Sequence, residues 1–310
     1  MESRLPQFLI IGVPKAGTTS LWMYLKEHPD IYMPETNELR YFSSKQVLSK
    51  LGGPGDGYDS DKVCQDLDTY THHFQSVNPN QVIGECTSSY FFFPEAIDNI
   101  LAELGHEVKL ILVLRNPIDR AYSNYWHLVR EGREELSFFE ALQDETRREQ
   151  QQWNDFWYYK AHSLYSEKLS SLKAKVKNVM VLLFEDLRDE TEDTLRQVYR
   201  FLEVDETFES TNSDIHYNAG GAYRNAELVN WMNQPSKLRR VAKSILPSPM
   251  LNRLRRKRDR MIQQAAQPKP TMPLEPSEML AEYFAEDVSI LSQEHGLDTG
   301  KWNLSAKPNQ

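Results

Sequence analysis

The chain has 310 residues, of which 40% are hydrophobic and 26% charged, and its formal net charge is −9 with a pI near 5.5. This apolar content excludes a disordered chain, and only 13 glycines and 16 prolines exclude collagen-like and low-complexity sequences. The negative charge disfavours a general nucleic-acid binder, because the chain as a whole repels phosphate backbones.

Four apolar runs, each followed by a helical pattern, predict an α/β fold with a parallel sheet flanked by helices. The predicted strands are Phe8–Val13, Gln81–Glu85, Val108–Leu114 and Asn178–Phe184. The helices after them are predicted to begin near Thr18, near Pro94, at Pro117 and at Thr191, the last ending at Leu202. We expect one domain over residues 1–310 with a helical C-terminal part, and a site beyond the carboxyl ends of the strands.

Two segments depart from this pattern. Residues 45–80 contain GGPGDGYDSD (52–61), which is predicted to form no regular element; a surface excursion and a lid over the site both remain open. Residues 225–270 are predicted to be basic and helical. Within them, residues 236–260 hold ten Lys or Arg and one Asp, so they carry +9 and the remainder carries −18. They form either a solvated face or a docking surface for an anionic partner.

The number of cysteines and the length of the apolar runs indicate the cellular compartment of the protein. Cys64 and Cys86 are too few for a disulfide framework and lack Cys/His metal spacing, which indicates two reduced thiols. The longest early apolar run, Phe8–Val13, is far shorter than the ~20 residues of a membrane span. We therefore expect a cytoplasmic protein without membrane insertion, and its oligomeric state is left open.

The segment GVPKAGTTS (12–20) directly follows the first predicted strand. A glycine-containing turn between a strand and a helix points backbone N–H groups at an anion. Lys15 adds a positive charge, and three successive hydroxyl side chains add donors. The two glycines have the spacing of a nucleoside-triphosphate loop, but Thr18 stands where such a loop has its lysine. A glycine turn without a ligand is the alternative interpretation.

Two segments resemble those of sulfotransferases that use 3′-phosphoadenosine-5′-phosphosulfate (PAPS). PKAGTTSL (14–21), after FLIIGV (8–13), resembles the 5′-phosphosulfate loop of that family. LRNPIDRAYSNY (114–125) is similar to its LRxPxxRxxSxY element. Further similar segments are YTHHF (70–74), GECTSSY (84–90), FEDL (184–187) and NAGGAYR (218–224).

The resemblance implies a P-loop-like fold and in-line transfer of a sulfuryl group from PAPS to an acceptor hydroxyl, releasing PAP without a metal. Lys15 is implied to contact the phosphosulfate and stabilise the departing oxygen, and Arg115 and Ser123 to hold the 3′-phosphate. The other donor-binding residues implied are Ala16, Gly17, Thr18, Thr19, Ser20, Gly220, Gly221 and Arg224.

The general base has two main candidates. Glu38 matches the glutamate that serves as base in glycan-sulfating members, and a carboxylate in a partly dry cleft suits that role. Glu85 ends the second predicted strand at the expected site face and is the second candidate. Cytosolic members use histidine instead, but no spacing recommends His72 or His73.

The acceptor is left open between a carbohydrate, a lipid-like or natural-product alcohol, and a β-hydroxyacyl chain on an acyl carrier protein. Cys86 stands where glycan-sulfating relatives often carry lysine. A second positive charge that contacts the transferred sulfonate is therefore absent or comes from Arg40. The alternatives to a sulfotransferase are a P-loop small-molecule kinase and a non-catalytic nucleotide-binding module.

Overall fold

A computed structural model describes residues 5–211, 269–302 and 304. Its centre is a five-stranded sheet in the order β2–β3–β1–β4–β5, and every neighbouring pair is parallel. The strands are β1 (Phe8–Gly12), β2 (Ile31–Tyr32), β3 (Val82–Cys86), β4 (Lys109–Leu114) and β5 (Val179–Leu183). The predicted fold class, a parallel sheet flanked by helices, is confirmed.

Helices connect and flank the strands. They are α1 (Thr18–Glu27), α2 (Ser44–Leu48), α3 (Leu67–His72), α4 (Pro94–Leu104), α5 (Pro117–Arg130), α6 (Phe138–Gln143), α7 (Glu145–Gln150), α8 (Ser166–Lys175), α9 (Phe184–Asp189), α10 (Thr191–Leu202) and α11 (Leu274–His295). The predicted helix starts at Thr18, Pro94, Pro117 and Thr191 are confirmed, as is a helical C-terminal part.

Two sequence-based expectations differ from the structure. The strand β2 was not predicted, because two residues are too few to show an apolar pattern. The prediction of no regular element over 52–61 is wrong, since a 3₁₀ helix covers Asp56–Lys62. Gly55 precedes it in the left-handed conformation, with φ of 75°, which glycine adopts without strain. The glycine-rich composition thus supplied the turn that starts this short helix.

The two central strands of the sheet carry apolar residues on both of their faces, which buries them in the core. Phe8, Leu9 and Ile10 of β1 are fully buried, and so are the residues Leu110–Leu114 of β4. A continuous apolar run is expected for a parallel strand covered on both sides, which explains why these two strands were the clearest in the sequence. Their carboxyl ends therefore meet at one edge of a buried sheet.

The C-terminal helix α11 is tied to the rest of the fold by a buried carboxylate. Leu280, Phe284 and Leu291 are fully buried on one side of it. Asp287 accepts hydrogen bonds from the backbone N–H groups of Tyr165 and Ser166, at 3.0 and 2.9 Å, where α8 begins. An acidic group there satisfies amides that have no partner inside the helix. The predicted basic segment 225–270 lies almost wholly outside the described residues.

A tight contact between β1 and β3 gives a test of this packing. A Cβ added to Gly84 would lie 2.1 Å from Phe8 Cζ and 2.5 Å from Met33 Sδ, whereas one added to Gly57 would meet nothing within 4 Å. We expect Gly84→Ala to lower the free energy of unfolding by about 1–3 kcal/mol, because the core must shift. Gly57→Ala is the control, with a change within about 0.5 kcal/mol. Urea unfolding measures both, and equal stability of the two variants would contradict the packing described.

Candidate active site

The loop between β1 and α1 forms an anion cradle at the carboxyl end of β1. Gly17 precedes α1 in the left-handed conformation, with φ of 82°, and a Cβ there would lie 3.0 Å from Phe184 Cδ2. No side chain caps α1, so the amides of its first turn keep their hydrogen-bonding capacity. The helix N-terminus and these amides together favour an anion.

The predicted hydroxyl donors take different positions in this loop. Thr18 and Ser20 are buried, and Thr19 is partly exposed. Ala16 is fully buried, so it presents only its backbone. The cradle therefore consists chiefly of backbone N–H groups, with Thr19 the most accessible hydroxyl.

Lys15 provides the positive charge of the cradle. Burial, followed by the charge of Arg130, lowers the pKa of Lys15 to about 8. Its ammonium group forms no ion pair with any residue that the structure describes. A partly desolvated cation without a carboxylate partner gains stability when an anion binds beside it.

Arg115 lies directly against this loop. Its Nη1 donates to the Lys15 carbonyl oxygen at 2.9 Å, and its guanidinium lies 4.5 Å from the centre of the Phe184 ring. The Arg115 backbone is fixed as well, because Tyr165 Oη donates to its carbonyl oxygen at 3.0 Å. Its Nε is buried without a hydrogen-bond partner in the described structure. A buried donor without a partner is costly, so this site is suited to an incoming oxyanion.

The start of α5 is held by a second buried carboxylate. Glu185 accepts a hydrogen bond from the Asn116 N–H at 3.2 Å and another from Trp302 Nε1 at 2.9 Å. The Asn116 side chain in turn caps α5 by accepting from the N–H groups of Ile118 and Asp119. The helix that carries Ser123 is thereby fixed to the strand end that carries Arg115.

Ser123 lies on α5, partly exposed. The sequence did not predict Lys269, which lies near Arg115: burial and then the charge of Arg115 lower the pKa of Lys269 to about 8. The predicted donor residues Gly220, Gly221 and Arg224 lie outside the described residues.

Glu38 is positioned by the end of β3. Its N–H donates to the Cys86 carbonyl oxygen at 2.7 Å. Its Oε1 accepts from both Ser88 N and Ser88 Oγ, at 3.1 and 2.6 Å, while its Oε2 has no hydrogen-bond partner in the described structure. The Ser88 carbonyl oxygen lies 3.0 Å from the position of a Cβ on Gly12, so Glu38 sits beside the start of the anion cradle.

Arg40 accompanies Glu38 on the same loop. Its Nε lies 3.7 Å from Glu38 Oε2, and its N–H donates to Thr87 Oγ1 at 3.1 Å. Both Glu38 and Arg40 have positive φ, 60° and 58°, a strained conformation that these hydrogen bonds stabilise. The structure places the Arg40 guanidinium beside Glu38, the candidate base.

Glu85 lies beneath this loop, with none of its surface exposed. Its Oε1 accepts from Thr87 Oγ1 at 2.5 Å, and Thr87 in turn accepts from the Arg40 N–H. Burial, with a contribution from the charge of Glu38, raises the pKa of Glu85 to about 8. Glu85 is thus a neutral buried acid that supports the Glu38 loop at physiological pH.

Helix α5 brings further polar groups to the cradle that the sequence did not reveal. Arg130 Nη2 lies 3.0 Å from His127 Nδ1, and His127 Nε2 lies 3.3 Å from Glu131 Oε1. Burial and then the charge of Lys15 lower the pKa of His127 well below its ordinary value. His127 and Arg130 follow Ser123 at helical spacing, which is the signal that would have found them.

The two adjacent histidines lie elsewhere. His72 ends α3 and is exposed, and His73 follows it, with its carbonyl oxygen accepting from Tyr32 Oη at 2.9 Å. Among the described contacts, none joins either histidine to Lys15 or Glu38.

Comparison with known proteins identifies the family. Residues 6–209 match the family described as the sulfotransferase family. The chain belongs to the sulfotransferase family. This assignment favours a sulfotransferase over the P-loop kinase alternative.

Individual sulfotransferases show how far the likeness extends. A sulfotransferase from Alicyclobacillus acidocaldarius has a similar structure, with a TM-score of 0.73 and 27% identity over 96% of this chain and 99% of that one. Membrane-associated sulfotransferase kil1 of Dictyostelium discoideum is 32% identical over 124 residues, which are 39% of this chain and 22% of that protein. Human heparan sulfate glucosamine 3-O-sulfotransferase 3B1 is 32% identical over 141 residues, 46% of this chain and 31% of its own. The matched stretch is thus less than a third of each of these two relatives.

Three general properties complete the description. Across the part of the chain that the structure covers, none of the helices combines the length and apolarity needed to cross a bilayer. In those same residues, His, Cys, Asp and Glu side chains do not gather in threes as a metal ion would require. Cys64 and Cys86 are both buried free thiols.

The raised pKa of Glu85 predicts a pH-dependent stability. At pH values above 4.5, the ordinary pKa of a glutamate, Glu85 is ionised in the unfolded chain. In the folded protein it keeps its proton until about pH 8. The contribution of Glu85 to the free energy of unfolding therefore falls across this range, by up to about 1.4 kcal/mol per pH unit. Glu85→Gln stays neutral and still accepts from Thr87, so we expect a flatter profile.

Chemical denaturation at several pH values between about 5 and 8 measures this difference. Glu35→Gln is the control, because the Glu35 side chain is 89% exposed and pairs only with Lys26 in the described structure. Parallel profiles for wild type and Glu85→Gln would show that Glu85 is already ionised in the folded protein.

Proposed function

We propose that this sulfotransferase transfers the sulfuryl group of PAPS to a hydroxyl of its acceptor, with Glu38 as general base. The observation that carries the proposal is the hydrogen bonding of the Glu38 carboxylate, which lies beside the anion cradle. Ser88 holds its Oε1 through two hydrogen bonds, whereas its Oε2, 3.7 Å from the Arg40 Nε, has no hydrogen-bond donor in the described structure. An acceptor hydroxyl supplies that donor and then gives up its proton.

The donor fits the cationic groups at the carboxyl ends of β1 and β4. In this proposal the Ala16–Ser20 backbone and Lys15 hold the 5′-phosphosulfate, while Arg115 and Ser123 hold the 3′-phosphate. The buried Arg115 Nε without a partner and the uncapped α1 support an anionic ligand there. Gly220, Gly221 and Arg224, outside the described residues, complete the donor site in the proposal.

The residues divide the chemical step between them. PAPS supplies a sulfonate on a phosphate leaving group; a bond forms from the acceptor oxygen to sulfur as the bond from sulfur to the phosphate oxygen breaks. Glu38 accepts the acceptor proton, and Lys15 stabilises the charge that develops on the leaving oxygen. Glu85 is fully buried, so we assign it to support of the Glu38 loop rather than to proton transfer.

We further propose that the acceptor is a carbohydrate hydroxyl and that the reaction takes place in the cytoplasm. The name of the human relative, a heparan sulfate glucosamine 3-O-sulfotransferase, supports a sugar acceptor. The free thiols Cys64 and Cys86 suit a reducing compartment. A natural-product alcohol and a carrier-bound β-hydroxyacyl chain are the acceptors to compare with the sugar.

Donor binding gives the first test of this proposal. We expect PAP to bind by calorimetry, whereas ATP with Mg²⁺ binds at least tenfold more weakly. Arg115→Lys should weaken PAP binding by roughly 10- to 100-fold, because lysine cannot form the paired hydrogen bonds of a guanidinium. Arg188→Lys is the matched control: Arg188 lies over the same Phe184 ring but pairs with Asp189. Preference for ATP, or no loss in Arg115→Lys, would contradict the assignment.

Sulfate transfer gives the second test. With radiolabelled PAPS, a heparan-derived hexasaccharide, a long-chain alcohol and a 3-hydroxyacyl pantetheine thioester serve as acceptors. We expect Glu38→Gln to lower kcat at least about 100-fold while PAP affinity stays within twofold, since only proton transfer is lost. Glu35→Gln, on the same connection between β2 and α2, should keep wild-type turnover. Turnover of Glu38→Gln within threefold of wild type would reject Glu38 as the base.

A further inference from the structure

One aromatic side chain lies between the two sides of the candidate active site. The Phe156 ring centre is 5.9 Å from the Arg40 guanidinium and 6.0 Å from the centre of the His127 ring. Arg40 belongs to the loop of Glu38, whereas His127 belongs to α5. Phe156 thus lies between the loop of the proposed base and the face of α5 that carries His127.

Phe156 is partly exposed although its neighbours in the chain are not. Asp155 and Trp157, on either side of it in a short 3₁₀ helix, are buried. Its two neighbours across the site, Arg40 and His127, are polar, and the Phe156 ring between them is partly exposed. Aromatic rings in such positions bind the apolar faces of ligands, including the C–H faces of rings and alkyl chains.

The backbone around Phe156 is held from both sides. Asn124 Nδ2 on α5 donates to the Phe156 carbonyl oxygen, and Asn154 Oδ1 accepts from the Phe156 N–H at 3.2 Å. Asp56 accepts from the Asn154 N–H and from Trp157 Nε1, each at 2.8 Å. The carboxylate of Asp56 therefore binds residues on both sides of Phe156 and holds the turn between them.

Asp56 is itself a fully buried side chain, with 0% exposure. Besides Asn154 and Trp157 it accepts from the Gly53 N–H at 2.7 Å and pairs with Arg133. Arg133 also donates to the Pro54 carbonyl oxygen at 2.7 Å and lies over the Trp157 ring. A buried carboxylate with this many donors fixes its surroundings, because loss of any partner leaves a charge unsatisfied.

We propose that Phe156 forms an apolar wall of the acceptor subsite and that Asp56 is the positioning residue that holds this wall in place. The inference rests on the proposed function, since it concerns the acceptor whose hydroxyl Glu38 deprotonates. The wall orients the bound acceptor toward Glu38, and small errors in such orientation reduce the rate of an in-line transfer. The segment 52–62 thereby contributes to acceptor binding without contacting the acceptor itself.

Kinetics of Phe156 and Asp56 variants test this inference with the best of the three acceptors used above. We expect Phe156→Ala to raise the acceptor KM at least tenfold, with kcat within fivefold and PAP affinity within twofold of wild type. Phe156→Tyr keeps the ring and should stay within threefold of the wild-type KM. Asp56→Asn cannot accept from all its donors, so its KM should rise while PAP affinity is kept.

Matched controls come from the same segment. Tyr58 is 64% exposed and Asp61 is also exposed, so Tyr58→Ala and Asp61→Asn should leave KM within twofold of wild type. Hydrogen exchange of residues 153–158 should accelerate in Asp56→Asn and remain unchanged in Asp61→Asn. Exchange that is unchanged in Asp56→Asn would overturn the positioning role of Asp56.

The outcomes separate this inference from the proposed function. An unchanged KM in Phe156→Ala, or a loss of PAP binding that matches the loss of turnover, would overturn the inference while leaving the sulfotransferase proposal intact. Wild-type protein that neither binds PAP nor sulfates any of the three acceptors would overturn the proposed function, and the inference with it.

Discussion

The position of β1 between β3 and β4 is the constraint on which the site depends. Its parallel pairing brings three carboxyl strand ends to one edge of the sheet, with Ile10 opposite Cys86 on one side and Ile111 on the other. The anion cradle follows β1, the Glu38 loop is fastened to the end of β3, and Arg115 follows β4. A shift of one residue in either pairing would separate the proposed base from the donor cradle, because every strand end would move by about 3.3 Å.

Buried acids then fix the loops at this edge. Glu85 supports the Glu38 loop, Glu185 holds the start of α5, and Asp56 holds the turn of Phe156. Glu185 and Asp56 accept hydrogen bonds from groups distant in sequence, and such contacts specify one arrangement more strictly than apolar packing does. These three acids lie outside the proposed reacting centre, in which Glu38 and Lys15 act on the substrates.

The sequence predicted those parts of the fold and site that depend on local patterns. Continuous apolar runs revealed four strands, and the glycine and lysine spacing of residues 12–17 marked the anion cradle. The strand β2 escaped prediction because two residues carry no pattern. Asp56 could not be predicted, because it lies in a glycine-rich run typical of an ordinary loop. Its role as a hydrogen-bond acceptor depends on partners 98 and 101 residues away. Glu38 and Glu85 were both found as candidates, but only burial distinguishes them.

The surroundings of Arg115 depend on contacts from the last part of the chain. Asp287 fixes the start of α8, where Tyr165 holds the Arg115 carbonyl group, and Trp302 binds the Glu185 that fixes Asn116. During synthesis the anion cradle at residues 12–20 leaves the ribosome first, long before these supports exist. Nascent chains therefore acquire the β1 loop early but complete the surroundings of Arg115 only after residue 302 has emerged.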